Sequence, residues 1–167
     1  MTREYKPIPK HLHEKLMKIE PSENYGLKYY PCQVALKDGG HVDRVYVVEQ
    51  ESYIKVWGVY PEDDGGKSEV LIEDVVDIEE SPSRLPAKFA NKLYEAGESG
   101  MGVTIFTVVF RHGVRQVFAA GNAVDFISYP EGKSSADIRD VLPHKGRESA
   151  EITRAPEYYW CIYSGVE

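Results

Sequence analysis

Residues 29–61, YYPCQVALKDGGHVDRVYVVEQESYIKVWGVYP, decide the fold class that the sequence predicts. Val, Tyr, Ile and Trp recur throughout this stretch, and Asp38-Gly39-Gly40 is a strong hairpin signal between two apolar runs. A second polar break at residues 49–52 and a polar tip at residues 62–68 bound the third run. The stretch therefore predicts three antiparallel β-strands joined by tight turns.

The same pattern returns further along the chain. Residues 103–130 predict a second three-stranded meander, with turns at His112-Gly113 and Gly121-Asn122. Residues 9–19 and 86–96 predict helices, because each begins with a proline and repeats apolar residues at helical spacing. Residues 133–143 predict a third short helix with a serine N-cap. Residues 158–163, YYWCIY, are apolar on both faces and predict a central strand or an interface.

These elements predict an α+β fold, made mainly of antiparallel β meanders that form a small barrel or half-barrel with two to three short helices. We expect a single domain over residues 1–167, with sub-lobes 27–81 and 101–130 bridged by helix 86–96 as a finer division. Short sequence matches hint at an internal duplication. They align Val76-Asp77 with Val124-Asp125, and Pro82 with Pro130.

Charge and composition bound the function. The net charge is −7, and residues 62–80 hold nine acids against one lysine, so binding to nucleic acid is not expected from the overall field. The sequence has no apolar run of membrane-spanning length and no segment of signal-peptide type at its start. These features predict a cytoplasmic protein without membrane contact.

The cysteines and glycines favour structural roles. Cys32 and Cys161 each follow aromatic residues, and we interpret them as buried core thiols, with a disulfide and a reactive thiol left open. Residues 97–104, GESGMGVT, resemble a phosphate-binding loop only in outline. They follow a predicted helix and lack the lysine, so they are expected to serve the backbone alone. No cofactor and no metal are predicted.

The favoured function is a non-catalytic protein-binding module that docks on a basic partner, in the manner of a small inhibitor or immunity protein. Self-association into a homo-oligomer also stays open. The candidate contact residues combine clustered acids with neighbouring aromatic side chains: Glu62, Asp63, Asp64, Glu73, Asp74, Glu79, Trp57 and Tyr60.

Two other functions remain as alternatives. The first is an enzyme or small-ligand binder whose site would lie near the loop at residues 143–157, a long run without predicted structure. The residues of that site would be Arg111, His112, Asp125, His144 and Arg147. The second is nucleic-acid binding by a small barrel, with Arg111 and Arg115 beside the rings of Phe110 and Phe118.

Overall fold

The computed structural model describes residues 4–145 and 151–167 of the chain. Backbone contacts divide the chain into two compact units, one made of Met1–Ser81 with Glu157–Glu167 and the other of Pro82–Pro156. The second unit is thus inserted into the sequence of the first. Both units combine a β-sheet with short helices, which confirms the predicted α+β class. The expected single domain and its finer division stay predictions.

Unit 1 contains a six-stranded mixed sheet. Its strands are β1 (Ser22–Asn24), β2 (Leu27–Leu36), β3 (His41–Glu49), β4 (Ser68–Glu69), β5 (Val75–Glu80) and β10 (Tyr159–Tyr163). They follow the order β1-β2-β3-β10-β4, and β5 pairs with the second half of β2. Strand β2 is antiparallel to β3, whereas β10 is parallel to both β3 and β4. The prediction of a central strand in YYWCIY is therefore confirmed.

Two helices pack on the faces of this sheet. Helix α1 (Lys10–Leu16) buries Leu12 and Leu16 in a core with the strand residues Val34 and Ile78. Helix α2 (Gln50–Trp57) packs on β2, β3 and β10. Its aromatic side chains contact the strand residues that alternate with those in the core under α1. They therefore lie on the other face of the sheet. That face carries a cluster of rings around the fully buried Trp160: Tyr29, Tyr46, Tyr53, Trp57 and Tyr158.

Helix α2 replaces the third strand predicted for this region. The carboxylate of Glu49 accepts hydrogen bonds from the backbone N–H groups of Glu51 at 2.7 Å and Ser52 at 3.3 Å, which begins the helix. Gly58 ends it with φ 77°, in the left-handed region. The residues Tyr, Ile, Val and Trp favour strands locally, but spacing of four residues places Tyr53 and Trp57 on one helical face toward Trp160.

The cysteines are core thiols, as predicted. Cys32 lies on β2 and Cys161 on β10, both are fully buried, and both are free. Strand β3 separates them, which places their backbones about 10 Å apart across two strand spacings. A disulfide would need the Cα atoms within about 7 Å. The two thiols therefore cannot be joined in this fold.

Both thiols are expected to react with Ellman's reagent only as fast as the protein unfolds. Burial raises the pKa of the Cys161 thiol, with the carboxylates of Glu69 and Glu73 adding to the shift, so little thiolate forms in the native state. Labelling at pH 8 over increasing urea would measure the rates, and Cys32→Ala and Cys161→Ala would assign them. Fast labelling without urea would contradict the burial.

The described residues of unit 2 form one α-helix and a four-stranded sheet. The helix is α3 (Ala87–Ala96), and the strands are β6 (Thr104–Phe110), β7 (Arg115–Ala120), β8 (Ile138–Pro143) and β9 (Thr153–Arg154). Their order is β8-β6-β7-β9, with β9 parallel to β7. Helix α3 packs on β8 and buries Phe89, Ala90 and Leu93 among the phenylalanines of β6 and β7.

Several elements of unit 2 differ from the sequence-based prediction. The third strand of the meander is reduced to one bridge between Arg84 and Phe126. The predicted helix at 133–143 is one 3₁₀ turn, Ser135–Asp137, followed by β8. Its serine N-cap is present, since Ser134 and Asp137 form a reciprocal capping box. Ile138 and Val141 then face the core from a strand.

The predicted barrel is not formed. The described strands make open sheets with free outer strands, and the parallel pairs β3–β10 and β7–β9 make both sheets mixed. The two antiparallel hairpins, β2–β3 and β6–β7, are nevertheless the centre of each sheet. The residues described contain no helix long and apolar enough to cross a membrane.

The two units repeat one arrangement of helix, hairpin and returning strand. Unit 1 uses α1, β2, β3 and β5, and unit 2 uses α3, β6, β7 and β8. In each unit the last strand of this arrangement, β5 or β8, pairs antiparallel with the first hairpin strand, β2 or β6. Val34 lies opposite Ile78, and Val108 opposite Val141. A register shift follows at the next residue pair in both sheets. The last strands also share one burial pattern.

Equivalent polar contacts support the duplication. Pro9 and Pro86 precede the two helices at the N-cap. Lys15 on α1 pairs with Asp77 on β5, and Lys92 on α3 pairs with Asp140 on β8 at 2.9 Å. The alignment of Asp77 with Asp125 that the sequence suggested is therefore wrong, because Asp140 holds the equivalent place. The match was misplaced because the connections between hairpin and last strand differ in length between the units.

The ion pair between Lys92 and Asp140 is expected to stabilise unit 2 by about 0.2–1 kcal/mol at pH 7, because both side chains are partly exposed. The hydrogen bond from Lys92 lowers the pKa of Asp140, so the contribution is present above pH 3.8, the ordinary value, and is lost as pH falls below it. A double-mutant cycle of Lys92→Met and Asp140→Asn in urea would measure the coupling. Equal coupling at pH 7 and pH 2 would contradict this assignment.

Candidate functional site

The acidic run of residues 62–80 does not form one continuous patch in unit 1. Glu62 and Asp63 lie in the 3₁₀ turn Pro61–Asp63, which packs on β4. Glu79 lies on β5 at the other side of the sheet. Four strand spacings, about 19 Å, separate β4 from β5. The structure therefore separates the candidate residues Glu62, Asp63 and Asp64 from Glu79.

Glu73 and Asp74 come just before the strand that carries Glu79. They lie in the 3₁₀ turn Ile72–Asp74, which contacts β10 and leads directly into β5, and both side chains are exposed. The carbonyl oxygen of Asp74 accepts a hydrogen bond from the backbone N–H of Lys37 at 2.9 Å, which fixes the turn to the β2–β3 hairpin. We name the carboxylates of this turn and strand the acidic edge: Glu73, Asp74, Asp77, Glu79 and Glu80.

A small groove lies beside the acidic edge. Its volume is about 50 Å³, and strands β2, β3 and β5 supply its walls. The residues that line it, named here the edge groove, are Gln33, Val34, Ala35, His41, Asp77 and Glu79. Residues two apart on a strand share a face, so Asp77 and Glu79 both turn toward Ala35 and Gln33, their partners on β2.

Asp77 is the anchored member of the groove. Its Oδ1 accepts hydrogen bonds from the Lys15 ammonium and from the backbone N–H of Ile78, the latter at 2.9 Å. The hydrogen bond from Lys15 is the main reason that the pKa of Asp77 lies below its ordinary value. Asp77 is therefore ionised in the neutral pH range, with its position set by α1.

Unit 2 shows which of these acids the fold itself requires. Asp77 has its counterpart in Asp140, and Asp74 has its counterpart in the capping residue Asp137. The other three acids have uncharged counterparts: Ala136 for Glu73, Leu142 for Glu79 and Pro143 for Glu80. The same helix, hairpin and strand thus form in unit 2 without charges at these three places.

Trp57 and Tyr60 are less exposed than the predicted contact surface requires. Both are partly buried, and both stack on Tyr53, with ring centroids 6.2 and 6.3 Å from it. Lys67 places its Nζ 3.9 Å from the centre of the Trp57 ring and 2.8 Å from a carboxylate oxygen of Asp64. Trp57 and Asp64 therefore already hold the 58–67 loop on α2.

The alternative ligand site is not assembled within unit 2. Arg111 and His112 are exposed at the tip of the β6–β7 hairpin. His144 lies beyond the other end of β6, where its backbone N–H donates to the carbonyl of Ile105 at 2.8 Å. Six strand residues, about 20 Å, separate the two places. Arg147 lies outside the described residues, as do residues 146–150 of the predicted 143–157 loop.

Asp125 and His144 each have a partner inside unit 2. Asp125 is fully buried and accepts a hydrogen bond from the hydroxyl of Tyr94, which in turn accepts from the backbone N–H of Val124 at 3.0 Å. His144 Nε2 lies 2.7 Å from Thr107 Oγ1. These contacts are structural, and Asp125 is not accessible to a ligand.

The predicted nucleic-acid surface lacks its stacking rings. Phe110 and Phe118 are fully buried in the core of unit 2, although Arg111 and Arg115 are exposed beside them. Buried rings cannot stack on bases. Within residues 4–145 and 151–167, no group of three or more His, Cys, Asp or Glu side chains is arranged to hold a metal ion.

Of the six residues that line the edge groove, only Glu79 was among the predicted contact residues. The residues missed were Gln33, Val34, Ala35, His41 and Asp77. The turn at Asp38-Gly39-Gly40 contained the signal, because a hairpin closed there places His41 opposite Ala35. What the sequence could not show is that β5 returns to β2 across a helix and two short turns. That long-range pairing is what brings Asp77 and Glu79 to the hairpin.

Comparison with known proteins adds no assignment: no family model, no curated protein and no solved structure matches the chain.

Replacing Tyr94 by phenylalanine is expected to destabilise unit 2 by about 1–3 kcal/mol, because it removes a hydrogen bond to a fully buried carboxylate. Urea unfolding would measure the change. Tyr25→Phe is the matched control, since Tyr25 is 88% exposed and its loss of a hydroxyl should change stability by less than about 0.5 kcal/mol. Equal effects of the two variants would show that Asp125 does not depend on Tyr94.

Proposed function

We propose that this protein is a non-catalytic intracellular protein-binding module that uses its acidic edge against a basic partner, in the manner of a small inhibitor or immunity protein. The observation that carries the proposal is the comparison between the two repeats. Glu73, Glu79 and Glu80 occupy places that Ala136, Leu142 and Pro143 fill in the same structural frame.

Protection of a free sheet edge does not account for these charges. Edge strands are commonly guarded against aggregation by a charge or a proline. Strand β8, the equivalent edge of unit 2, has Arg139 and Pro143 in that role. The segment Ile72–Glu80 instead carries five carboxylates and no basic residue, whereas Ser135–Pro143 carries two carboxylates and one arginine. Five charges of one sign exceed what guarding requires.

Like charges on neighbouring residues repel one another and lower the stability of the unit that carries them. Such a cluster is useful when a partner of opposite charge binds, because complementary fields raise the association rate and exclude wrong partners. The exposed side chains of Glu73, Asp74 and Glu79 are available for that contact. Asp77 is committed to an ion pair with Lys15 within unit 1.

Charge reversal at the acidic edge is the test. The variant Glu73→Lys/Asp74→Lys/Glu79→Lys is expected to weaken the capture of a basic partner at least tenfold, and raising the salt from 50 to 300 mM should weaken wild-type capture in the same direction. Tagged protein, native lysate and quantitative mass spectrometry would measure both effects.

The control variant makes the same change in net charge elsewhere. Glu95→Lys/Glu98→Lys/Glu131→Lys reverses three exposed acids of unit 2. It is expected to leave capture unchanged, and circular dichroism would show that both variants fold. If the two triple variants lost the partner equally, or neither lost it, the acidic edge would not be the binding surface.

A further inference from the structure

We infer that the edge groove is a subsite for a guanidinium group, and that it receives an arginine side chain from the basic partner. This inference rests on the proposed function, since it names the chemistry of the partner at one point of the acidic edge. It is carried by the size of the groove, the geometry of its two carboxylates and the residues that replace it in unit 2.

The size of the groove selects the head of one side chain. Its volume of about 50 Å³ exceeds the roughly 10–15 Å³ that a single water needs. It is far below the roughly 300–1,000 Å³ of pockets that enclose drug-sized ligands. The groove therefore does not enclose a drug-sized ligand, whereas its size suits the planar end of one amino-acid side chain.

The two carboxylates line the same side of the groove. Asp77 and Glu79 lie two residues apart on β5, so their Cα atoms are about 7 Å apart on the same face. Asp77 uses its Oδ1 for Lys15 and Ile78, and this contact fixes its orientation. Glu79 is exposed and supplies the second negative charge. With the ammonium of Lys15 included, the site keeps a net charge of −1 when His41 is neutral.

The neutral walls favour a planar cation. Gln33 presents an amide, which can accept a hydrogen bond through its oxygen, and Ala35 leaves the space that a larger side chain would fill. An arginine has five N–H donors in a flat fork and is less strongly hydrated than a lysine ammonium. Arginine thus suits the groove better than lysine, and the carboxylates exclude anions.

Unit 2 shows what happens to the groove when its residues change. The counterparts of Ala35 and Glu79 are Val109 and Leu142, which add bulk and remove a charge. The counterpart of His41 is Arg115, whose positive charge opposes a bound cation. With Asp140 and Lys92 paired, the equivalent place in unit 2 has a net charge of +1. The guanidinium subsite is therefore a property of unit 1 alone.

The test uses a defined probe, the blocked pentapeptide acetyl-Gly-Ser-Arg-Ser-Gly-amide, with lysine and citrulline versions as competitors. We expect the arginine peptide to shift the backbone amide NMR signals of Gln33, Ala35 and Ile78 saturably, at millimolar concentrations. The lysine version should bind more weakly. The citrulline version, which keeps the shape without the charge, should produce at most a tenth of the effect.

Two variants taken from unit 2 provide the matched controls. Ala35→Val fills the groove without changing the charge, and Glu79→Leu removes one carboxylate; the equivalent residues already occur in the folded frame of unit 2. Each is expected to weaken arginine-peptide binding at least tenfold while leaving the remaining amide signals in place. Equal shifts with citrulline, or shifts that survive Ala35→Val, would overturn the inference.

The same variants separate this inference from the proposed function. If Ala35→Val left partner capture intact while the triple charge reversal abolished it, the acidic edge would bind the partner without an arginine in the groove. The subsite would then be wrong and the binding module right. If neither change affected capture, but the arginine peptide still bound wild type and not Ala35→Val, the subsite would stand and the wider acidic edge would not.

Discussion

The pairing of β5 with β2 in unit 1, and of β8 with β6 in unit 2, is the constraint on which each unit depends. In unit 1 it places Ile78 opposite Val34, and in unit 2 it places Val141 opposite Val108. Because side chains alternate along a strand, this register decides which residues reach the core under the helix and which reach the outer face. The lysine–aspartate pair beside it ties the helix to the same strand in both units. A shift of this register by one residue would turn the core residues of the strand outward and its acidic residues toward the core.

Local features of the fold could be predicted from sequence, and long-range ones could not. The hairpin at Asp38-Gly39-Gly40, the helices after Pro9 and Pro86 and the strand YYWCIY all depend on turn chemistry or periodicity within a few residues. Helix α2 was missed because its strand-favouring residues are held in a helix by the cap at Glu49 and by packing on Trp160. The parallel placement of β10 beside β3 joins residues more than 100 positions apart, and no local pattern encodes it.

The same distinction between local and long-range features applies to the candidate site. Sequence reasoning proposed Glu73, Asp74 and Glu79 as contact residues because charge composition is visible without a structure. It grouped them with Glu62 and Asp63, since proximity in sequence was the only available measure of distance. The sheet order places β4, which contacts the turn with Glu62 and Asp63, four strand spacings from β5, which carries Glu79. It also joins Glu79 to Gln33 and Ala35, which are more than 40 residues away in the chain.

The duplication serves as an internal control. From a single copy of a fold, it is difficult to decide whether a surface charge serves stability or binding. Here the same helix, hairpin and strand occur twice with different side chains on the outer positions. Residues shared by both copies, such as the Lys–Asp pair and the apolar positions of the last strand, meet the needs of the fold. Residues that differ are free of those needs, and in unit 1 they converge on negative charge around a groove of side-chain size. A function carried by one repeat and not the other is the simplest physical reason for that difference.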